Sequence, residues 1–263
     1  MSAPEPHEIY ERTREEGRRR LNRPFLELVS TAIAAGVDVA FGIIAIGTIS
    51  SLLSEHFGTK AAHVGGAIGF GIAFVFIVIG RSELFTENFL VPIAGLQRGD
   101  RRSWLKLLEL WTISPIFNIL GGFALIAIVT THGVLPYGVG APITDLANKL
   151  DHNSWLAAFM SAIAAGALIT LMTWFVEGAE TMGIRIVAAW ITGALLTLGA
   201  FNHVIVVTLE MFFGIRYGAP VGWGDMIDNF FTALLGNMIG GLLFVTLNRT
   251  TQAKSGGGSK PSD

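Results

Sequence analysis

The chain contains no cysteine. Disulfides, thiolate metal sites and cysteine nucleophiles are therefore excluded. Charged residues make up only 14% of the sequence, against about 25% in soluble domains. There is no His-Glu-x-x-His and no paired catalytic Asp motif, so an intramembrane enzyme is not expected and neither is a cofactor. The net charge of −2 carries no information about partners, and no nucleic acid is expected. No apolar signal-peptide core with a cleavage site precedes the first long hydrophobic run.

What is abundant is apolar. Hydrophobic residues reach 51%, glycine reaches 32 residues and mean hydropathy is +0.57, the balance of a polytopic membrane protein. Six stretches are long enough to cross about 30 Å of hydrocarbon at about 1.5 Å per residue: roughly 26–53, 63–94, 104–131, 154–176, 184–213 and 226–248. The second and fifth are too long, and too polar in the middle, for simple spans. Each reads as two half-helices with an irregular joint, which a bilayer tolerates only where protein or a water-filled cavity covers it.

The two halves of the chain echo each other. Ala32-Ile33-Ala34-Ala35-Gly36 recurs as Ala162-Ile163-Ala164-Ala165-Gly166, and Asn118-Ile119-Leu120-Gly121-Gly122 recurs as Asn237-Met238-Ile239-Gly240-Gly241. Between the marks lie the two interruptions, Ser82 to Asn88 and Gly199 to His203. Three spans per half place the halves in inverted topology, a 3+3 repeat characteristic of transporters and channels. The expected fold is an all-α membrane protein with spans 2 and 5 broken. The expected organisation is a cytoplasmic N-terminal helix over 1–24, a six-span channel domain over 25–248 and a flexible cytoplasmic tail over 249–263.

Orientation follows from the cations. Arg12, Arg14, Arg18, Arg19, Arg20 and Arg23, then Arg98, Arg101, Arg102 and Lys106, then Arg185, Arg249, Lys254 and Lys260 all fall on one side. Lys60, Lys149 and Arg216 fall on the other. Both termini are therefore expected in the cytoplasm. Residues 1–24 mix Glu and Arg at helical spacing, as Glu11 and Glu15 with Arg14, Arg18 and Arg19. Such pairs support a solvated amphipathic helix on the membrane surface.

Several residues inside the spans bear on function. His203, near the middle of span 5, is an intramembrane ionisable group and so a functional candidate by default. Its imidazole can donate a proton to a passing weak-acid anion, which then crosses the apolar stretch neutral. Thr86 can donate to an anion without bringing a full charge. Arg81, Glu83 and Glu87 interrupt span 2; a charge at bilayer centre costs about 2.5 kcal/mol or more, so an internal ion pair is expected. Asn118 and Asn237 are read as supports for the joints. Glu210 and Asp38 are read as solvated near the membrane surfaces. The run Gly65-Gly66-Ala67-Ile68-Gly69-Phe70-Gly71 follows no strand, so close helix packing explains it better than a nucleotide site.

Gly80 through Thr86, Phe201-x-His203 and Gly236-Asn237-x-x-Gly240-Gly241 resemble the formate/nitrite transporter family over about 25–248. The resemblance implies a homopentamer in the inner (plasma) membrane of a bacterium, with an aquaporin-like fold and one pore per protomer. It implies passage of small monovalent anions or their conjugate acids, with formate, nitrite or a similar monocarboxylate as substrate and protons as possible partners. It places Thr86 at the span 2 joint, His203 at the centre, Asn202 beside it, Asn118 and Asn237 as supports, and Leu84, Phe85 and Phe201 at the constrictions. Members of the family usually have Glu beside the central His and Ser and Asn shortly after; these places hold Asn202, Val204 and Val207. The family's Lys before span 4 falls at Leu150, next to Lys149. These departures mark a divergent branch, and they keep open a pore for a neutral or cationic solute and a non-conducting structural protein.

Overall fold

The computed structural model describes residues 4–97, 99–151 and 154–256. Arg98 and Lys260, and the Gly-rich tail from residue 257 onward, lie outside the described residues. Helix α1 spans Pro6–Leu21, with Pro6 in its first turn and the Glu8 side chain reaching back to the Glu5 N–H at 2.8 Å. Proline is tolerated there because that N–H has no helical partner.

Helix α2 runs Phe25–Gly80 and bends at Gly58, whose φ of 76° needs a residue without Cβ. Its arms, 25–57 and 59–80, correspond to the first span and the first part of the second. The chain then leaves the helix through Arg81 at φ 55°, forms a 3-10 turn at Phe85–Phe89 and a short helix α3 at Val91–Gly95. Next come α4 (Arg101–Val129), α5 (Gly140–Asp151) and α6 (Trp155–Gly178). Helix α7 (Met182–Leu198) ends at a second break, and α8 (Val204–Arg216) begins at His203. The chain closes with α9 (Trp223–Ile239), a π-turn at Gly240–Thr246 and α10 (Leu247–Gly256). Among the described residues there is helix and no strand.

Four stretches are long and apolar enough to cross a membrane: Phe25–Gly80, Arg101–Val129, Trp155–Gly178 and Trp223–Ser255; α7 is a shorter apolar helix. Two expectations need correction. Residues 249–256, expected in a flexible tail, are helical because α10 continues the last span and packs against α1. Helix α1 does not lie solvated on a surface: it packs on α3, α6 and α10, and Thr13, Gly17 and Leu21 are buried. Helix α5 was not legible as an element, because its amphipathic sequence is too short and too polar for a span.

Lipid is as apolar as leucine, so packing inside this fold comes from close helix approach rather than water exclusion. Gly36 of α2 lies on the Asn118 carbonyl of α4, and Gly166 of α6 lies on the Asn237 carbonyl of α9. A Cβ at either position would overlap that carbonyl, so both glycines allow a close helix crossing.

Candidate functional site

Both breaks are built alike. At the first, the Ser82 N–H donates to Ile77 O at 3.1 Å; at the second, the Phe201 N–H donates to Leu196 O at 3.0 Å. The residue before each bond, Arg81 or Ala200, is left-handed, with φ of 55° and 49°. Two fully buried asparagines then hold the loosened backbone. Asn118 donates to Ala32 O at 2.8 Å and Glu83 O at 2.9 Å, and accepts from the Phe85 N–H at 3.0 Å. Asn237 donates to Ala162 O at 2.8 Å and Asn202 O at 3.0 Å, and accepts from the Val204 N–H at 2.9 Å. Each amide thus satisfies a carbonyl and an N–H that the break removes from the helical ladder.

The joints bring Thr86 and His203 together. Both are 0% exposed, and Thr86 Oγ1 lies 2.6 Å from His203 Nε2. His203 caps α8, its Nδ1 accepting from the Val206 N–H at 3.2 Å. In the neutral ring the proton therefore sits on Nε2, which donates to Thr86, so the Thr86 hydroxyl keeps its own hydrogen for another acceptor. No second partner of Thr86 Oγ1 occurs among the described hydrogen bonds. The His203 ring stands edge-on to Phe74 at 6.3 Å.

Leu84 and Phe85 are fully buried beside this pair, with Phe85 edge-on to Phe89 at 5.1 Å. Phe201 is partly buried and packs against the core. Asn202, expected beside the substrate, is spent on scaffold: its amide donates to Ala158 O at 3.2 Å and pairs with Asn229 at 2.8 and 3.2 Å. Its place is with the joint supports, because every polar atom is already bonded to α6 or α9.

The internal ion pair is also rearranged. Arg81 is 66% exposed and faces Glu16 of α1 at 3.5 Å, not Glu83 or Glu87. The buried glutamates are neutralised from α1 and the segment after it. Glu83 pairs with Arg23 and, at 3.2 Å, with Arg20, while Glu87 lies 3.7 Å from Arg20 and Asn88 accepts from Arg20 at 3.1 Å. The left-handed backbone at Arg81 turns its long side chain outward, where solvent lowers the cost of its charge. Burial works against the Arg20 charge, yet the Glu83 and Glu87 carboxylates hold its pKa above the usual arginine value. Burial likewise favours protonated Glu16, but the hydrogen bond from Arg19 and the Arg20 charge outweigh it and hold Glu16 at about 2.

Sequence reasoning missed Arg20 and Arg23. They sit in a charged run whose local spacing also fits surface pairs, so nothing in the pattern separates them from Arg14. Glu210 was misread as solvated; it is 5% exposed on α8. Asp38 is half-buried and accepts from Ser82 Oγ at 2.7 Å. Two cavities lie elsewhere in the chain, neither lined by Thr86 or His203. One of about 470 Å³ lies under α1, lined by Arg12, Arg19, Arg81, Arg185 and Glu177. The other, of about 350 Å³, lies among α2, α5 and the second joint, lined by Ile46, His63, Lys149, Thr197 and Ala200.

An all-helical membrane protein with two interrupted helices meeting at a fully buried Thr–His pair has the build of a transport protein rather than an enzyme. The chain belongs to the formate/nitrite transporter family, whose sequence model matches residues 7–250. It is 25% identical over 251 residues to the inner membrane protein YfdC of Escherichia coli (strain K12), covering 94% of this chain and 78% of that protein. It is 27% identical over 258 residues to the transporter YrhG of Bacillus subtilis (strain 168), covering 94% of this chain and 92% of that one. The formate channel BtFdhC of Bacillus thuringiensis is 22% identical over 247 residues, covering 93% of this chain and 94% of its own. Among solved structures, a pentameric formate channel with formate bound superposes with a TM-score of 0.72 at 20% identity, covering 86% of this chain and 96% of its own. An FNT family ion channel gives 0.74 at 20% identity, covering 94% and 97%. These two likenesses establish the fold.

Proposed function

We propose that the chain is a channel or proton-coupled carrier for small monovalent anions and their conjugate acids, with formate, nitrite or a similar monocarboxylate as substrate. One observation carries the reading: the 2.6 Å contact between Thr86 and His203, buried where the two joints meet. The spare Thr86 hydroxyl hydrogen offers an anion one donor. The N-terminus of α8, which starts at this point, adds the positive end of a helix dipole. When the ring takes up a second proton at Nδ1, the resulting imidazolium can pass its Nε2 proton through the Thr86 hydroxyl to a bound weak-acid anion, which leaves the ring neutral. The neutral acid then leaves through the apolar constrictions of Leu84, Phe85 and Phe201, and the ring recovers a proton from the far side.

The matched bonds of Asn118 and Asn237 support a 3+3 inverted repeat of six spans, with the joints as pseudo-equivalent elements. In this reading α1 and α10 are cytoplasmic, the cavity under α1 is the inner vestibule and the cavity beside α5 is the outer one. The assembly is a homopentamer, in keeping with the pentameric formate channel of like fold, and it sits in a bacterial inner membrane. Protease added to sealed inverted vesicles should cut within residues 1–24; protection there contradicts the orientation.

The test of substrate class is flux into liposomes holding the purified protein, with formate and nitrite compared against ammonium and glycerol. Selective formate or nitrite flux above protein-free vesicles is expected. Selective passage of ammonium or glycerol would replace the anion reading with a cationic or neutral-solute pore.

A further inference from the structure

Glu210 is the one buried carboxylate without a hydrogen bond or ion pair among the described residues; the buried Glu83 and Glu87 both have arginine partners. An unpaired carboxylate inside a membrane protein is costly and marks a conduction path or proton relay more often than a packing position. Its place on α8 is informative. Glu210 follows His203 by seven residues, two turns of helix, so both lie on one face about 10.5 Å apart along the axis. Val207 lies between them on that face, and Gly214, one turn further, lies on Ala147 of α5. The carboxylate therefore stands on the His203 side of α8, between the central pair and the helix that caps the outer end.

The elements packed against α8 are α2, α4, α5 and α9. Their titratable groups toward the outer side are Asp145, Lys149 and Asp151 on α5, Asp225 and Asp228 on α9, and Glu55, His56, Lys60 and His63 on α2; among the described residues none is ion-paired with Glu210. Asp38 of α2 is engaged with Ser82. The charges of α4, including Lys106 and Glu109, lie at its opposite end.

We propose that Glu210 is the outer charge filter of the pathway: its carboxylate repels an anion approaching His203, and its protonation admits that anion. The proposal rests on the anion-channel reading. A unit charge about 10 Å away at an effective dielectric of about 20 changes anion occupancy at His203 by about tenfold. Falling pH therefore opens the path at a point distinct from His203.

Counterflow of radiolabelled formate into proteoliposomes, at equal pH on both sides and with protein-free leak subtracted, tests this. At pH 8, Glu210→Gln should carry formate faster than the unmodified protein, by up to about tenfold, and the two should converge at pH 5. Glu210→Asp should retain the pH dependence. Equal rates for Glu210→Gln and the unmodified protein at both pH values overturn the proposal, as does slower transport by Glu210→Gln at pH 8. Infrared difference spectra give a readout independent of flux. The unmodified protein, but not Glu210→Gln, should show a protonated-carboxyl stretch that grows from pH 8 to pH 5, and a constant band or none overturns the proposal. Absence of formate flux in the unmodified protein at both pH values overturns the channel reading itself, whatever the infrared band does.

Discussion

Replacing Asn237 with leucine removes two amide donors and one acceptor from a fully buried site. Ala162 O sits within α6 and keeps its helical partner. Asn202 O and the Val204 N–H belong to the joint, and Asn237 is the partner that holds them. At the roughly 0.6 kcal/mol average of hydrogen bonds between membrane helices, three lost bonds amount to about 2 kcal/mol. Orphaning two buried backbone groups at about 1–3 kcal/mol each raises the loss to between about 2 and 6 kcal/mol. The orphaning cost should dominate, because the joint has no alternative partner in hydrocarbon. Thermal denaturation in detergent, followed as loss of the monodisperse chromatographic peak, should show Asn237→Leu destabilised by at least about 2 kcal/mol. Asn118→Leu should match it, since its three bonds are the same within 0.1 Å. Asn237→Asp keeps the acceptor for Val204 but turns a carboxyl oxygen toward the Ala162 and Asn202 carbonyls, so it should be destabilised at least as much as the leucine variant. Leucine variants as stable as the unmodified protein would refute the view that these asparagines hold the joints.

Three further predictions concern the joints and α1. Arg23→Ala leaves Glu83 short of one of its cations where both side chains are at most 3% exposed, so a loss of about 3–5 kcal/mol is expected. Arg14→Ala, whose pair with Glu11 is exposed, should cost under about 1 kcal/mol in the same melting assay; equal effects would contradict the buried clamp. Ala200→Gly relieves the left-handed backbone and should raise stability by about 1 kcal/mol, and destabilisation would count against that geometry. Because the Glu16 pKa is depressed, its contribution is full above the ordinary carboxylate range and is lost only as pH falls toward about 2. Amide hydrogen exchange, corrected for intrinsic rate, should therefore show the Glu16 turn of α1 equally protected at pH 7 and pH 5; release between those values contradicts the Glu16 contacts.

The joints were legible because a bilayer forbids unpaired backbone, so polar and glycine interruptions in otherwise apolar runs stand out. Asn118 and Asn237 were legible for the same reason, and the repeated Asn-x-x-Gly-Gly gave their equivalence. The Thr86–His203 contact joins residues 117 positions apart; the pairing of the halves brings it within reach, but only coordinates give the distance. Charge partners were less legible. Arg81 is two residues from Glu83 in sequence, yet its left-handed backbone turns it outward, and Arg20 and Arg23 reach Glu83 across 63 and 60 residues. Glu210 was hidden for a different cause: α5, whose packing covers the outer end of α8, has no transmembrane signature, so α8 looked as if it ended in solvent.

The central claim is that the buried Thr86–His203 pair conducts small weak-acid anions. Formate flux into liposomes, measured for the unmodified protein and for His203→Phe at matched protein content and identical oligomer elution, tests it most directly. The account predicts formate flux that rises as external pH falls toward 5 and is abolished by His203→Phe. Equal, pH-independent flux through both proteins would make His203 a packed core residue and contradict the account.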